Sequence, residues 1–311
     1  MAQEVLVMGP IPAAQLEQLE KNYRIHKLWQ AENPEAKLNE VRNNITGMVS
    51  TAFFGVTAKI IRALPNLEII SHFGVGYDSV DVKVAKEQGV IVTNTPDVLT
   101  DDTADIGIAL TLAVFRRTVE GDIYVRSGQW IKKGPMPLGR SLRGKTMGIV
   151  GLGRIGQAIA KRAEAFGLNI IYHGPRDKKV SYPFVANLEE MAAKSDILMV
   201  ACPYTADTHH LVDARVLKAL GRDGVLVNIA RGKIVDEKAL IDALESGVIA
   251  GAGLDVFEKE PDVPSALCRL DNVVLQPHVG SATHETRGAM AQLVVDNLLL
   301  YFEKAEVLTP V

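Results

Sequence analysis

The chain has 311 residues, enough for about two domains. Hydrophobic residues make up 47% and charged residues 23%, which excludes a disordered chain. Lys and Arg number 34 against 37 Asp and Glu, for a net charge of -3, whereas a dedicated nucleic-acid binder carries a basic excess.

Met1-Ala2-Gln3-Glu4-Val5 has neither the basic stretch nor the long apolar run of a secretory signal, so none is expected. Residues 4–8, 48–51, 68–71 and 90–93 are short β-branched runs that predict strands. Residues 12–21, 34–44, 57–64 and 81–88 predict the helices between them. Residues 101–126 predict one helix, with Thr100 as its capping residue and acids in its first turn. Its middle, 106–115, is the longest mostly apolar run, far short of the roughly 20 residues of a membrane span. A second series of strands follows at 146–150, 169–172, 197–202, 225–229, 252–256 and 273–276. Strands apolar on both faces and joined by helices imply a parallel sheet covered on both sides, so two series imply two α/β lobes. A last helix at 285–304 has no new strand to serve and is expected to return to the first lobe. The cysteines, Cys202 and Cys268, cannot form a disulfide framework or a four-cysteine metal site, so a reducing cytoplasm and no metal are expected.

Strand 146–150 runs into Gly151-Leu152-Gly153-Arg154-Ile155-Gly156 and then a helix. That strand–turn–helix context turns a weak glycine pattern into a dinucleotide-binding fingerprint. The first glycine permits the turn, the second admits a pyrophosphate, and the third lets helix and strand pack. The free N–H groups of the helix then face the phosphates. The alternative is a glycine-rich turn without a ligand. The position that selects NAD or NADP ends the next strand, where the chain reads His173-Gly174-Pro175-Arg176. No acid stands there to accept from a ribose hydroxyl and repel a 2′-phosphate. His173 and Arg176 offer donors instead, unless this is a basic, solvated loop continued by Lys178 and Lys179.

Three polar residues follow strand ends. Arg231 comes after Val227-Asn228-Ile229-Ala230, Glu260 after Phe257-Glu258-Lys259, and His278 after Gln276-Pro277. Each alone reads as a surface or loop residue. Together, their surroundings resemble the D-2-hydroxyacid dehydrogenase family, in its glyoxylate/hydroxypyruvate and hydroxyphenylpyruvate reductase branch. The matching words are Asn228-Ile229-Ala230-Arg231-Gly232, Gly253-Leu254-Asp255-Val256-Phe257-Glu258-Lys259-Glu260-Pro261 and Gln276-Pro277-His278-Val279-Gly280-Ser281-Ala282-Thr283. Phe73-Gly74-Val75-Gly76-Tyr77-Asp78, Asn94-Thr95-Pro96-Asp97 and the closing Leu308-Thr309-Pro310-Val311 match as well. The familiar acid after the second Rossmann strand is missing, and the sequence stops at Val311 before the family's optional regulatory domain.

The resemblance implies that His278 is the general acid and Glu260 the carboxylate that keeps it protonated. Arg231 would orient the substrate carboxylate and polarise the ketone with its planar fork of donors. The amides of Val75 and Gly76 would bind the carboxylate. Asp255 matches a residue that contacts the nicotinamide amide. Cys202, Pro203, Ile229, Ala230 and Gly280 match cofactor-lining positions, although Cys202 also reads as a small buried residue. Trp130 falls where the branch approaches a partner subunit, or is an interface aromatic. His209, His210 and His284 read as structural or surface residues.

The expected architecture is two doubly wound α/β lobes. A flavodoxin-like substrate domain (1–98 plus 285–311) accompanies a Rossmann dinucleotide-binding domain (99–284), with the substrate between them. The resemblance further implies a homodimer with no nucleic-acid or membrane partner. The expected activity is NADPH-preferring, NADH-tolerating reduction of a small 2-oxo acid such as glyoxylate or hydroxypyruvate to the D-2-hydroxy acid. Alternatives are hydroxyphenylpyruvate or 2-ketogluconate reduction, a same-fold formate dehydrogenase, or a non-catalytic dinucleotide sensor. Phe53 and Phe54 follow a strand and would either narrow the pocket or stack on an aromatic keto acid.

Overall fold

In the computed structural model, which describes residues 3–311, the chain divides into two units. One is Met1–Leu99 with Ala282–Val311, the other Thr100–Ser281. The N-terminal signal reading begins on Met1 and Ala2, which lie outside the described residues.

The first unit carries β1 (Glu4–Val7), β2 (Arg24–Lys27), β3 (Ile45–Thr51), β4 (Ile69–Phe73) and β5 (Ile91–Thr93). They form one parallel sheet of order β2-β1-β3-β4-β5, the flavodoxin-like arrangement. Helices α1 (Ala13–Asn22), α2 (Pro34–Val41), α3 (Ala58–Ala63) and α4 (Val82–Glu87) connect them. β2 lacks a β-branched run, reading Arg-Ile-His-Lys, and sequence patterning missed it. It forms at the sheet edge, where His26 Nε2 lies 2.6 Å from Glu4 Oε2 on β1.

The second unit carries β6 (Thr146–Val150), β7 (Asn169–His173), β8 (Ile197–Val200), β9 (Val225–Asn228), β10 (Gly251–Leu254) and β11 (Val273–Leu275). All are parallel, in the order β11-β10-β9-β8-β6-β7. Phe184 adds a parallel bridge to Tyr172 on the outer side of β7, completing the strand order of a Rossmann sheet. Its helices are α5 (Thr100–Arg116), α6 (Thr118–Arg126), α7 (Gln129–Lys133), α8 (Arg154–Ala165), α9 (Leu188–Ala193), α10 (Ala214–Leu220), α11 (Glu237–Glu245) and α12 (Ser265–Cys268). β8, β9 and β10 are buried along their whole length, as strands covered on both faces must be.

The single helix expected at 101–126 is broken. Arg117 adopts the left-handed conformation (φ 53°), and a new helix starts after it. The backbone N–H of Arg140 takes the Phe115 carbonyl at 2.7 Å, and the Arg140 guanidinium stacks 4.5 Å over the Phe115 ring. That carbonyl is therefore claimed from outside the helix, and the Arg117 fork pairs with Glu120 in the next one at 2.7 Å. Thr100 lies inside α5 as its first residue rather than capping it from outside. Among the described residues no helix is long and apolar enough to cross a membrane, and no group of His, Cys, Asp and Glu could hold a metal ion.

The last helix, α13 (His284–Lys304), belongs to the first unit. Ser71 Oγ on β4 donates to the Val294 carbonyl at 3.1 Å. Asn297, fully buried, organises the C-terminal segment. Its Oδ1 accepts from Leu308 N (2.9 Å) and Thr309 N (3.2 Å), and its Nδ2 donates to Thr309 Oγ1 (3.0 Å). Val311 N then reaches the Val92 carbonyl at 3.0 Å, which ties the tail to β5. Asn297→Ala takes the side-chain acceptor from the Leu308 and Thr309 backbone N–H groups. It is expected to destabilise the protein by about 1–3 kcal/mol, read as a lower midpoint in denaturant titration. An unchanged midpoint would show that the tail holds without this clamp.

Candidate active site

The ladder sets Val150, His173, Val200, Asn228, Leu254 and Leu275 in one row across the six-stranded sheet. Chain leaving each strand therefore emerges at one edge, where open α/β sheets bind ligands. The glycine turn follows β6, His173–Arg176 closes β7, Cys202 and Pro203 follow β8, Ile229–Arg231 follow β9, Asp255 follows β10, and His278 follows β11. The order of the connections reverses between β6 and β8, which makes that point the crevice of the sheet.

The glycine turn is built as its spacing implied. Gly151 has φ 94°, and a Cβ there would lie 2.5 Å from the Cys202 Cα. At Gly156 a side chain would strike the Gly151 carbonyl. Gly153 differs: its φ of -76° suits any residue, and an added Cβ would meet nothing within 4 Å. Neither backbone strain nor packing requires a glycine at 153, which leaves approach by a ligand as the physical reason. Gly153 also precedes α8 without a side-chain cap, and Arg154, Ile155 and Gly156 form the helix's first turn. Leu152 is buried beneath them. The turn therefore fits a dinucleotide pyrophosphate. Burial pushes the Cys202 thiol up to about 11, so it stays protonated and is a packing residue at this turn.

At the end of β7, His173 Nδ1 lies 3.0 Å from the Val185 carbonyl, which can only accept, so Nδ1 carries the hydrogen. Asp177, the nearest acid, is engaged elsewhere. It accepts from the Tyr172 hydroxyl at 2.6 Å and from Lys179 N at 2.8 Å. Those bonds, the tyrosine's first, hold its carboxyl below the usual range. Gly174, Pro175 and Arg176 form the partly to fully exposed loop between.

Arg231, Glu260 and His278 are brought together. His278 Nδ1 lies 2.7 Å from Glu260 Oε2, and Glu260 Oε1 accepts from Phe257 N at 3.0 Å. Burial pushes the Glu260 carboxyl up. The His278 hydrogen bond and charge, the Phe257 N–H and the Arg231 charge more than offset this, leaving it below its ordinary value. The Arg231 turn packs so tightly on the Phe257–Glu258 backbone that a Cβ at Gly232 would overlap it. Arg231 Nη1 donates to the Ala230 carbonyl at 2.8 Å.

Two residues of the quoted words do more than sequence reasoning assigned them. Asn228, at the end of an apolar strand, bonds the turn that follows: its Oδ1 accepts from Ala230 N (3.0 Å) and its Nδ2 donates to the Arg231 carbonyl (2.9 Å). Asp255, 1% exposed, accepts from Val279 N at 2.7 Å and Gly280 N at 2.8 Å. Burial pushes its carboxyl up against these two donors. His278 has φ 54°, uncommon for a side chain bearing a Cβ, and its N–H bonds the Asp255 carbonyl at 2.9 Å. Asp255 thus holds the turn that presents the histidine. The only available signal was a polar residue ending a buried strand.

Of the other residues singled out, Val75 and Gly76 lie in the first unit, after β4. Phe53 and Phe54 lie there too, both exposed, with Phe54 against Gly9. Trp130 is exposed on α7. His209 and His210 stack at 4.0 Å, with His210 Nε2 on Glu258 Oε1, and His284 opens α13.

Residues 108–280 match the D-isomer specific 2-hydroxyacid dehydrogenase, NAD binding domain. The chain belongs to that family. It is 51% identical over 308 residues to glyoxylate/hydroxypyruvate reductase A of Arabidopsis thaliana, covering 99% of this chain and 98% of the relative. It is 49% identical over 309 residues to hydroxyphenylpyruvate reductase of Plectranthus scutellarioides, covering 99% and 98%. Among solved structures, the NADPH-dependent glyoxylate/hydroxypyruvate reductase of Sinorhizobium meliloti, in complex with NADP and malonate, superposes with a TM-score of 0.92. It is 44% identical, covering 100% of this chain and 97% of that one.

Asp255→Asn sets an amide nitrogen against a backbone N–H and loses one of the two bonds. It is expected to destabilise the second unit by about 1–3 kcal/mol and to lower turnover. Thermal unfolding and turnover measured on the same preparation check this, and a variant with wild-type values in both would remove the clamp from the account.

Proposed function

We propose that this chain reduces small 2-oxo acids, glyoxylate and hydroxypyruvate foremost, to D-2-hydroxy acids. The observation that carries the reading is the 2.7 Å bond from His278 Nδ1 to Glu260 Oε2, beside Arg231 at the C-terminal edge of a dinucleotide-binding sheet. A reduced nicotinamide dinucleotide, its pyrophosphate held at the Gly151–Gly156 turn, would supply hydride to the carbonyl carbon. His278 holds its Nδ1 proton on Glu260, which leaves Nε2 to deliver a proton to the carbonyl oxygen as it becomes the hydroxyl. Against the cost of burial, His278, the Phe257 N–H and the Arg231 charge favour the carboxylate form of Glu260. Arg231 supplies a permanent charge and a planar fork for the carboxylate and ketone. The Val75–Gly76 turn presents amides suited to the carboxylate. The similarity to hydroxyphenylpyruvate reductase and the exposed Phe53 and Phe54 support an aromatic 2-oxo acid as the competing substrate. A panel of 2-oxo acids separates the two.

His278→Ala is expected to fold and bind cofactor while losing about 10²–10⁴-fold in kcat. Glu260→Gln removes the carboxylate that bonds His278 Nδ1 and is expected to lower kcat while leaving cofactor affinity at the wild-type value. A wild-type kcat in Glu260→Gln overturns the pairing.

NADPH is the preferred cofactor in this reading, and NADH is tolerated. Support comes from the engaged Asp177, from the donors His173 and Arg176 at the end of β7, and from the NADP complex of the Sinorhizobium meliloti relative. Charge-assisted bonds from Arg176 to a 2′-phosphate are screened at an exposed loop, so the expected preference is about 10–10³-fold. Arg176→Ala is expected to weaken NADPH about ten-fold or more and leave NADH nearly unchanged, as read by cofactor fluorescence titration. Equal loss for both cofactors refutes the 2′-phosphate role.

A homodimer is part of the same reading, supported by the exposed apolar side chains Val119, Ile123, Val125, Trp130, Ile131 and Leu138. A cytoplasmic location is supported by the free thiols of Cys202 and Cys268.

A further inference from the structure

His72 is the penultimate residue of β4 and is completely buried, in a strand it shares with Ile69, Ile70 and Phe73. A polar side chain in such a place costs stability unless its atoms are bonded. Its Nε2 lies 3.0 Å from the Gly76 carbonyl oxygen, which can only accept, so Nε2 carries the hydrogen and donates. Its Nδ1 lies 2.9 Å from Ser50 Oγ on β3 and, in the neutral ring, accepts that hydroxyl's hydrogen. Both nitrogens are committed, which fixes the tautomer and the plane of the ring. The ring also presses on the chain beyond it: a Cβ on Gly74 would sit 2.8 Å from Nε2.

The two preceding carbonyls are held as well. Asn94 Nδ2 donates to the Val75 carbonyl at 2.8 Å, and Thr95 N donates to the Gly74 carbonyl at 3.0 Å. Asn94 is itself anchored, its carbonyl accepting from Thr309 Oγ1 at 2.6 Å. In a trans peptide the C=O and the following N–H point opposite ways. Each held carbonyl therefore turns the next N–H, of Val75, Gly76 and Tyr77 in succession, away from its partner.

We infer that His72, supported by Ser50 and holding the Gly76 carbonyl, is a positioning residue that, with Asn94 on the Val75 carbonyl, fixes the Val75–Gly76 turn whose amides face the substrate carboxylate. The inference rests on the carboxylate role proposed above for that turn. It assigns the buried histidine to substrate affinity, so its loss raises KM without slowing chemistry. Removing an interaction made equally in ground and transition states acts in this way.

His72→Leu keeps the bulk and removes the donor. The expected result is a KM for hydroxypyruvate raised about three- to ten-fold, the worth of one hydrogen bond, with kcat within about two-fold. NADPH affinity by fluorescence titration stays at the wild-type value. His72→Gln places an amide nitrogen near the Nε2 position and is expected to restore KM, whereas His72→Asn places it near Nδ1 and is not. That pair decides the matter if the Leu variant does not fold. A wild-type KM in His72→Leu, or equal KM values in the Gln and Asn variants, overturns the positioning role. Gly76→Pro deletes one of the amides directly. A raised KM there with an unchanged one in His72→Leu rejects His72 and keeps the turn, and unchanged values in both reject the turn and the inference together.

Discussion

A parallel ladder forces every strand to end on the same side, and in the second unit six strands end in one row from His173 to Leu275. The central strands β8, β9 and β10 are buried along their whole length, so they have little room for polar side chains before that row. Polar chemistry is thereby confined to the first residues beyond it. This single constraint gathers glycine turn, basic loop, arginine, glutamate and histidine from segments spread over more than a hundred residues of chain.

At that edge the protein repeats one device. A buried polar side chain at or just past a strand end bonds the backbone that follows, and so aims a charged side chain further on. Asn228 does this for Arg231, and Asp255 for His278. In the first unit His72 and Asn94 act on the carbonyls of the Val75–Gly76 turn in the same manner. Each exchanges a desolvation cost for fixed loop geometry, and each leaves its loop with few alternative conformations.

The electrostatics follow from placement. Glu260 is partly buried but faces His278, the Phe257 N–H and the Arg231 charge, and remains a carboxylate. Asp255 is more deeply buried, and burial outweighs its two neutral N–H donors and the His278 charge there. The two acids stand on either side of the same histidine turn: one bonds the imidazole, the other the backbone.

Much of this was legible in the amino-acid sequence. The alternation of short apolar runs with helical patterns and the glycine spacing are local properties, and they determined two parallel α/β lobes and the dinucleotide turn, whereas Arg231, Glu260 and His278 were singled out by the resemblance of their surrounding words to a family. The missing acid at 173–176 was equally visible. Tertiary structure alone decided the rest. The edge strand β2 has too little apolar content to announce itself and forms because β1 offers a ladder. The helix break at Arg117 depends on Arg140 taking a carbonyl from a distance in sequence. Tyr172 takes up Asp177, and Asp255 and His72 acquire their roles from backbone atoms brought to them by folding. Periodicity and turn chemistry are written within a few neighbouring residues, whereas a hydrogen bond's partner is chosen by which distant segment the packed sheet brings within about 3 Å.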